Sequence, residues 1–171
     1  FEACAEGLSR RAAQGLPVAR VRAVASLFVS RVDTLAATML PADDQALRGQ
    51  LGIANARAVY ADWLDRFGGS QFAALRAAGA RPPLCLWAST GVKNADERDT
   101  RYVEALIGPD TVNTVPEATL VAFAEHGLVA RTLDLALPEA LETVALAERA
   151  GIDLNALGEQ LQAAGLAQFE Q

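Results

Sequence analysis

Lysine, histidine and cysteine are all scarce in this chain. Lys93 is the only lysine and His126 the only histidine among 171 residues, and the two cysteines are Cys4 and Cys85. The cysteines form no metal or redox spacing, so we interpret both as buried thiols in a reducing compartment and expect a cytoplasmic protein. The histidine precedes Gly127, where a helix C-terminus would favour it. No G-x-S-x-G motif supports a histidine–serine pair.

Long apolar runs and net positive charge are also lacking. No run of about 18 uncharged apolar residues occurs, which argues against a membrane-spanning helix. The net charge of −6 and the pI near 4.8 provide no global basic surface, so we expect no nucleic-acid partner. Hydrophobic residues make up 51% and charged residues 21% of the chain. These values are ordinary for a folded globular domain.

Three short apolar stretches have the composition of buried strands. They lie near residues 21–29, 84–88 and 111–115. The intervening segments and the C-terminal region 117–171 have helical spacing, and Tyr60 and Trp63 belong to the core stripe of one helix, 53–67. Strands that alternate with helices predict parallel βαβ units. The predicted fold class is therefore α/β, with extra C-terminal helices.

The first predicted strand ends in hydroxyls and a cation, within Ser26-Leu27-Phe28-Val29-Ser30-Arg31. Because side chains alternate along a strand, Phe28 shares the face of Ser26. The structural alternative is a serine cap on the next helix, with Arg31 solvated in its first turn. A cation opposes the helix dipole there, whereas beside free N–H groups it suits an anion. We therefore interpret Arg31 and Ser26 as ligand-binding residues.

The second predicted strand is followed by a turn with the same character, Ser89-Thr90-Gly91-Val92-Lys93-Asn94. Such a turn can hold a phosphate through backbone N–H groups and side-chain donors, although many turns look alike. Together with Arg31, Lys93 would neutralise a phosphate dianion. We therefore predict that Arg31, Ser89 and Lys93 bind phosphate. Asn113, at the end of the third strand, and Phe28 are candidates for lining the same site.

Lys93 has an alternative role as a Schiff-base nucleophile, because it is the only amine side chain in the sequence. A lysine in that role needs burial or a neighbouring cation to lose its proton. Lys93 instead lies in a polar segment beside Asp96 and Glu97. Carboxylates at that distance favour the protonated amine, so we assign Lys93 to phosphate binding.

These segments together resemble the transaldolases, the Schiff-base sugar-phosphate transferases. The stretches 24–33, 86–94 and 110–119 have the order and spacing of that family. The resemblance implies that residues 1–171 are the C-terminal part of a TIM (β/α)8 barrel, containing strands six to eight. It implies transfer of a dihydroxyacetone unit between sugar phosphates in the pentose phosphate pathway. A lysine Schiff base and a carboxylate with a bound water would carry the reaction, without a metal or other cofactor.

The resemblance also implies roles for single residues. The arginine that matches Arg31 grips the substrate phosphate, and the serine that matches Ser26 lies near the reacting carbons. Many relatives have an arginine near the position of Lys93, after a shorter turn. The family's catalytic lysine and acid–base carboxylates belong to earlier strands. We therefore expect no catalytic residue in this chain and no activity from it alone.

The chain begins at Phe1 without a methionine, so we expect a longer parent protein. An open barrel exposes inner strand faces. We therefore expect two kinds of partner, sugar phosphates and a covering chain, which is either the missing N-terminal half or a second copy. A non-catalytic half-barrel module and another Schiff-base sugar-phosphate aldolase stay open as functions, as does fusion to an isomerase. The segment 87–94 and the long helical tail favour transaldolase.

Overall fold

The computed structural model describes residues 1–44 and 46–169. The three strands are β1 (Val24–Phe28), β2 (Leu84–Ala88) and β3 (Thr111–Asn113). The helices are α1 (Glu2–Ala13), α2 (Ser30–Ala36), α3 (Leu51–Gly68), α4 (Ala73–Ala77), α5 (Arg101–Ala105), α6 (Glu117–His126), α7 (Leu137–Arg149) and α8 (Leu154–Phe169), and a 3₁₀ turn at Ser70–Phe72 precedes α4. No helix in this described part is long and apolar enough to cross a lipid bilayer.

The strands form one parallel sheet in the order β1-β2-β3. Helices make every connection between neighbouring strands, as parallel pairing requires. In register, Ser26 of β1 lies beside Leu86 of β2, which lies beside Val112 of β3. These three residues therefore share one face of the sheet. The predicted α/β class with parallel strands is confirmed.

The opposite face of the sheet is covered by helices and forms the core. Cys85 and Trp87 of β2 point to this face and are fully buried. Tyr60 and Trp63 of α3 pack in the same cluster, with their rings stacked at a centroid distance of 5.6 Å. The indole N–H of Trp63 also donates to the carbonyl of Pro83 at 2.7 Å. The prediction that both aromatic residues of α3 belong to the core is confirmed.

The face that contains Ser26 is open by comparison. Val24 is 54% exposed and Ser26 is also exposed, whereas Leu86 is half-buried. A second apolar cluster lies beside the sheet, where α2, α3, α7 and α8 meet. It consists of Val32, Ala36, Leu40, Leu47, Leu51, Ala147, Ile152 and Leu157. The helices thus enclose one face and one side of the sheet.

Two of the observed strands are shorter than the predicted ones, whereas β2 has the predicted bounds, Leu84–Ala88. β1 begins at Val24 rather than at residue 21. The Arg22 guanidinium donates to the carbonyls of Ala19 and Val21, at 2.7 and 2.8 Å, and holds this stretch in a turn. β3 ends at Asn113 rather than at residue 115.

The predicted helical region 117–171 is interrupted between α6 and α7. The region contains three helices, α6, α7 and α8, and residues 127–136 between α6 and α7 are irregular rather than helical. The N–H groups of Thr132 and Leu133 donate to the carbonyl of Ile107, at 3.0 and 3.1 Å. These tertiary hydrogen bonds replace the intrahelical ones. The last two residues of the predicted region, 170–171, lie outside the described residues.

Candidate functional site

The C-terminal ends of β1 and β2 lie side by side and bring two polar segments together. Phe28 pairs with Ala88 in the sheet. Beyond that pair, the Val29 N–H donates to the Ala88 carbonyl at 2.8 Å, and the Ser30 N–H donates to the Ser89 carbonyl at 2.9 Å. The hydroxyl groups of Ser30 and Ser89 are hydrogen-bonded at 2.8 Å. Parallel pairing therefore continues past both strands into the segments that carry Arg31 and Lys93.

Ser89 turns the chain sharply at the end of β2. Its φ is +58°, in the left-handed region that residues with a side chain rarely occupy. This conformation costs such a residue roughly 1–2 kcal/mol. Backbone strain of this kind concentrates at functional sites, where surrounding contacts hold it in place. The hydrogen bonds to Ser30 are contacts of that type.

Arg31 is the second residue of α2 and is half-buried. Its guanidinium carbon lies 4.6 Å from the ring centroid of Phe28, in a cation–π arrangement. Helix α8 passes close to the same ring, because a Cβ placed on Gly165 would lie 3.8 Å from the Phe28 Cζ. The end of β1 thus orients the arginine, and α8 packs against the aromatic ring that supports it.

Two cavities flank the paired strand ends. An apolar groove of about 610 Å³ runs along the free edge of β1, between α3 and α8, and Ser26 and Phe28 line it. A polar pocket of about 390 Å³ is lined by Ser30 and Lys93, among other residues. The structure therefore places Ser26 and Phe28 at the groove and Lys93 at the pocket. Neither cavity contains both Ser26 and Lys93.

Lys93 and Asn113 have different surroundings. Lys93 is exposed, and within the described residues its amine makes no hydrogen bond or ion pair. Asn113 pairs in register with Trp87, on the helix-covered face of the sheet. Its side-chain oxygen accepts a hydrogen bond from the hydroxyl of the fully buried Thr90 at 2.7 Å. Asn113 therefore supports the turn after β2 from the helix-covered face of the sheet. Lys93, by contrast, is accessible to a ligand.

A buried acidic residue near these strand ends was not predicted from the sequence. Asp33 is only 6% exposed, and its carboxylate accepts hydrogen bonds from the Gly52 N–H and the Tyr102 hydroxyl, each at 2.8 Å. Burial raises the pKa of Asp33, although the hydrogen bonds from Gly52 and Tyr102 act in the opposite direction. Asp33 and Tyr102 also line the polar pocket that contains Lys93.

His126 lies at the end of α6, as its position before Gly127 predicts. Its Nε2 is 2.8 Å from a carboxylate oxygen of Asp99, in an exposed pair. Both Cys4 and Cys85 are free thiols, but only Cys85 is buried as predicted, and Cys4 is half-buried. Burial raises the pKa of Cys85 to about 12. Among residues 1–44 and 46–169, no three histidine, cysteine, aspartate or glutamate side chains are arranged to hold a metal ion.

The fold and the strand-end residues place this chain among α/β proteins with polar residues at the carboxyl ends of parallel strands, where ligands of such sheets bind. Comparison with known families is more specific. The model of the transaldolase/fructose-6-phosphate aldolase family matches residues 2–171, so the chain belongs to that family.

Curated relatives agree with the family. The chain is 47% identical to a transaldolase of Thiobacillus denitrificans over 174 residues, covering 99% of this chain and 48% of the relative. A transaldolase of Neisseria meningitidis is 47% identical over 171 residues, covering 100% of this chain and 48% of the relative. A transaldolase of Mycolicibacterium smegmatis is 43% identical over 176 residues, covering 100% of this chain and 47% of the relative. The chain thus spans about half the length of the curated relatives it matches.

Proposed function

We propose that this chain supplies the phosphate-binding side of a transaldolase, a transferase that moves a dihydroxyacetone unit between sugar phosphates. Family membership supports the class of reaction. The observation that carries the phosphate assignment is the contact between Ser30 and Ser89. That contact joins the segment with Arg31 to the segment with Lys93. Two cations beside a pair of hydroxyls can neutralise and orient a phosphate dianion.

Each side chain would contribute in a different way. The planar guanidinium of Arg31 can bind two phosphate oxygens at once, and its contact with Phe28 at 4.6 Å limits its orientations. Lys93 would add a point charge from the neighbouring turn. Each serine hydroxyl has one proton to donate. Because one hydroxyl donates to the other at 2.8 Å, the pair keeps one proton for a phosphate oxygen.

We assign the three strands to positions six, seven and eight of a TIM barrel, followed by C-terminal helices. The exposed Ser26 and Val24 on one sheet face suit this assignment, because that face would point into a completed barrel. The coverage of only 48% of the relatives' length leaves room for the other strands. Ser26 would then lie near the reacting carbons and Phe28 would line the site. Asn113 would support the site through Thr90.

The Schiff-base lysine and the acid–base carboxylates would belong to the remainder of the parent protein. Lys93 is exposed, whereas a Schiff-base lysine is usually buried or beside another cation. The 171-residue chain alone would then be inactive. We place the parent enzyme in the cytoplasm, in the pentose phosphate pathway. Its partners would be sugar phosphates, without a metal, membrane or nucleic acid.

Borohydride trapping tests whether the Schiff-base lysine lies outside this chain. The parent protein is incubated with a ketose phosphate donor, reduced with borohydride, and mapped by peptide mass. We expect the dihydroxyacetone adduct on a lysine outside residues 1–171. The variant Lys93→Arg removes the only lysine of this chain. It should still form the adduct, because the reactive lysine would lie outside residues 1–171. An adduct on Lys93, or loss of trapping in Lys93→Arg, would contradict the assignment.

A fructose-6-phosphate aldolase is the second candidate, because the matching family includes both activities. The two reactions differ in where the three-carbon unit goes. A transaldolase passes it to an aldose phosphate, whereas an aldolase releases free dihydroxyacetone. Release of dihydroxyacetone at the same rate with and without an acceptor would favour the aldolase.

The third candidate is a non-catalytic half-barrel that binds a partner through its open sheet face, on which Val24 is 54% exposed. A covering chain, either the remainder of the parent or a second copy, would bury that face. Sedimentation of the 171-residue chain alone detects a second copy as the covering chain, and sedimentation of its mixture with the rest of the parent protein detects that half. If the chain associates with a covering chain but the complete parent protein shows no transfer activity, the non-catalytic function is favoured.

A further inference from the structure

The carboxylate of Asp33 connects three helices around the paired strand ends. Asp33 lies on α2, two positions after Arg31. One carboxylate oxygen accepts the Gly52 N–H, in the first turn of α3, and the other accepts the hydroxyl of Tyr102, on α5. Both distances are 2.8 Å. We call Asp33, Gly52 and Tyr102 the Asp33 bridge.

The Asp33 bridge leaves little room for movement of α2. Asp33 is 6% exposed and Tyr102 is 4% exposed. A Cβ on Gly52 would lie 2.5 Å from the Val29 carbonyl oxygen and 2.8 Å from a carboxylate oxygen of Asp33. Such distances are far inside van der Waals contact, so the start of α3 lies directly against the start of α2. The first turn of α2, which carries Arg31, therefore packs against the first turn of α3.

The Asp33 bridge also reaches the segment that carries Lys93. Arg101 precedes Tyr102 and forms an ion pair with Glu97 at 2.6 Å. Its guanidinium also donates to the carbonyl of Gly49, just before α3. The segment between Lys93 and α5 is therefore attached to the same helix start as α2. These elements line the polar pocket of about 390 Å³, with Asp33 and Tyr102 in its wall.

We propose that Asp33 is a positioning residue for the phosphate site, which fixes Arg31 on α2 relative to the segment that carries Lys93. This inference rests on the proposed phosphate role of those two cations. Asp33 itself makes its hydrogen bonds to Gly52 and Tyr102 and acts on the ligand only through them. Misplacement of a binding group by about 1 Å is enough to weaken catalysis severely.

A matched pair of tyrosine variants in the parent protein tests the inference. Tyr102→Phe removes the hydroxyl that donates to Asp33, and Tyr60→Phe removes one that donates to the Pro109 carbonyl at 3.2 Å. Both tyrosines are buried. We expect Tyr102→Phe to raise the KM for a phosphorylated donor roughly fivefold, the equivalent of one hydrogen bond, with kcat nearly unchanged. Tyr60→Phe, beside the start of β3, should leave that KM unchanged. Equal KM values in the two variants would overturn the proposal.

Two substitutions of Asp33 separate positioning from a direct role of its charge. Asp33→Asn can still accept the Gly52 N–H and can donate to the oxygen of Tyr102. Burial raises the pKa of Asp33, which fits a site that tolerates a neutral side chain. We expect Asp33→Asn to keep a nearly normal KM and Asp33→Ala to raise it roughly tenfold or more. An Asp33→Asn variant as impaired as Asp33→Ala would overturn positioning by these hydrogen bonds.

Arg31→Ala distinguishes failure of this inference from failure of the proposed function. If Arg31→Ala raises the KM for a phosphorylated donor and Tyr102→Phe does not, only the role of Asp33 is wrong. If Arg31→Ala has no effect on that KM, the phosphate assignment itself is wrong. The role of Asp33 is then overturned with it.

Discussion

The hydroxyl oxygens of Ser30 and Ser89 lie 2.8 Å apart, although 59 positions separate the two residues in the chain. Their backbones are also hydrogen-bonded, from the Ser30 N–H to the Ser89 carbonyl. The start of α2, which follows β1, is therefore joined to the turn that follows β2. Arg31 lies one residue after the first serine, and Lys93 four residues after the second. This contact is the structural basis of the proposed phosphate site.

Substitutions of Ser89 separate its hydroxyl from its backbone conformation. Ser89→Ala loses the hydrogen bond to Ser30 and keeps the positive φ of 58°. We expect it to lower the free energy of unfolding by about 1 kcal/mol. Ser89→Gly loses the same hydrogen bond but relieves about 1 kcal/mol of left-handed strain, so it should be the more stable variant. Urea denaturation measures both, and a less stable Ser89→Gly would contradict the left-handed turn.

Glycine substitutions test the close packing of α2 against α3. A Cβ on Gly52 would lie 2.5 Å from the Val29 carbonyl oxygen, so Gly52→Ala should destabilise the fold by about 2 kcal/mol or more. Gly7, on α1, is the matched control because nothing lies within 4 Å of its added Cβ. Gly7→Ala should stabilise the chain by up to about 1 kcal/mol through helix propensity. Equal urea midpoints for the two variants would show that α2 and α3 are farther apart.

The pH dependence of stability tests the hydrogen bonds of Glu104. Two hydrogen bonds from Arg98, each 2.9 Å, hold the pKa of Glu104 at about 2, against 4.5 for an unperturbed glutamate. A depressed pKa means that the stabilisation is complete above about pH 4.5 and is lost as the pH falls towards about 2. Glu104→Gln should therefore be less stable than the unsubstituted chain near neutral pH. That difference should narrow in acid.

The control for this prediction is Glu125→Gln, which changes an exposed carboxylate on α6. Its free energy of unfolding should stay close to that of the unsubstituted chain throughout the same pH range. Chemical denaturation at several pH values gives both comparisons. If the destabilisation by Glu104→Gln is the same at about pH 3 as at about pH 7, the depressed pKa is refuted.

Local patterns in the sequence account for the strands and for much of the helical core. The apolar runs around Val24 and Leu84 form strands, and the helical stripe through Tyr60 and Trp63 lies in the core, as these local patterns predict. Residues 127–136 lie within the region for which helices are predicted, but they are irregular in the structure. Their N–H groups instead find tertiary partners, such as the Ile107 carbonyl, which no local pattern encodes.

The candidate site was only partly accessible from sequence for the same reason. The hydroxyls and cations after β1 and β2 could be recognised because they follow apolar strands directly. Asp33 lies at the end of the stretch 24–33, but its role could not be recognised, because its partner Tyr102 is 69 positions away in the chain. Asn113 was expected to line the site, and its pairing with Trp87 shows that it lies on the covered face. Three residues of strand were too few to assign its face by alternation.

The central claim is that Arg31 binds the substrate phosphate, and donor specificity tests it most directly. The Arg31→Ala variant of the parent protein is compared with the unsubstituted protein. Its KM is measured for a phosphorylated donor of the dihydroxyacetone unit and for an unphosphorylated donor of the same unit. Arg81→Ala is the control, because it removes the same charge from an exposed position before β2. We expect Arg31→Ala to raise the KM for the phosphorylated donor roughly tenfold or more, with little change for the other donor or in Arg81→Ala. Equal increases for both donors would contradict the phosphate role of Arg31.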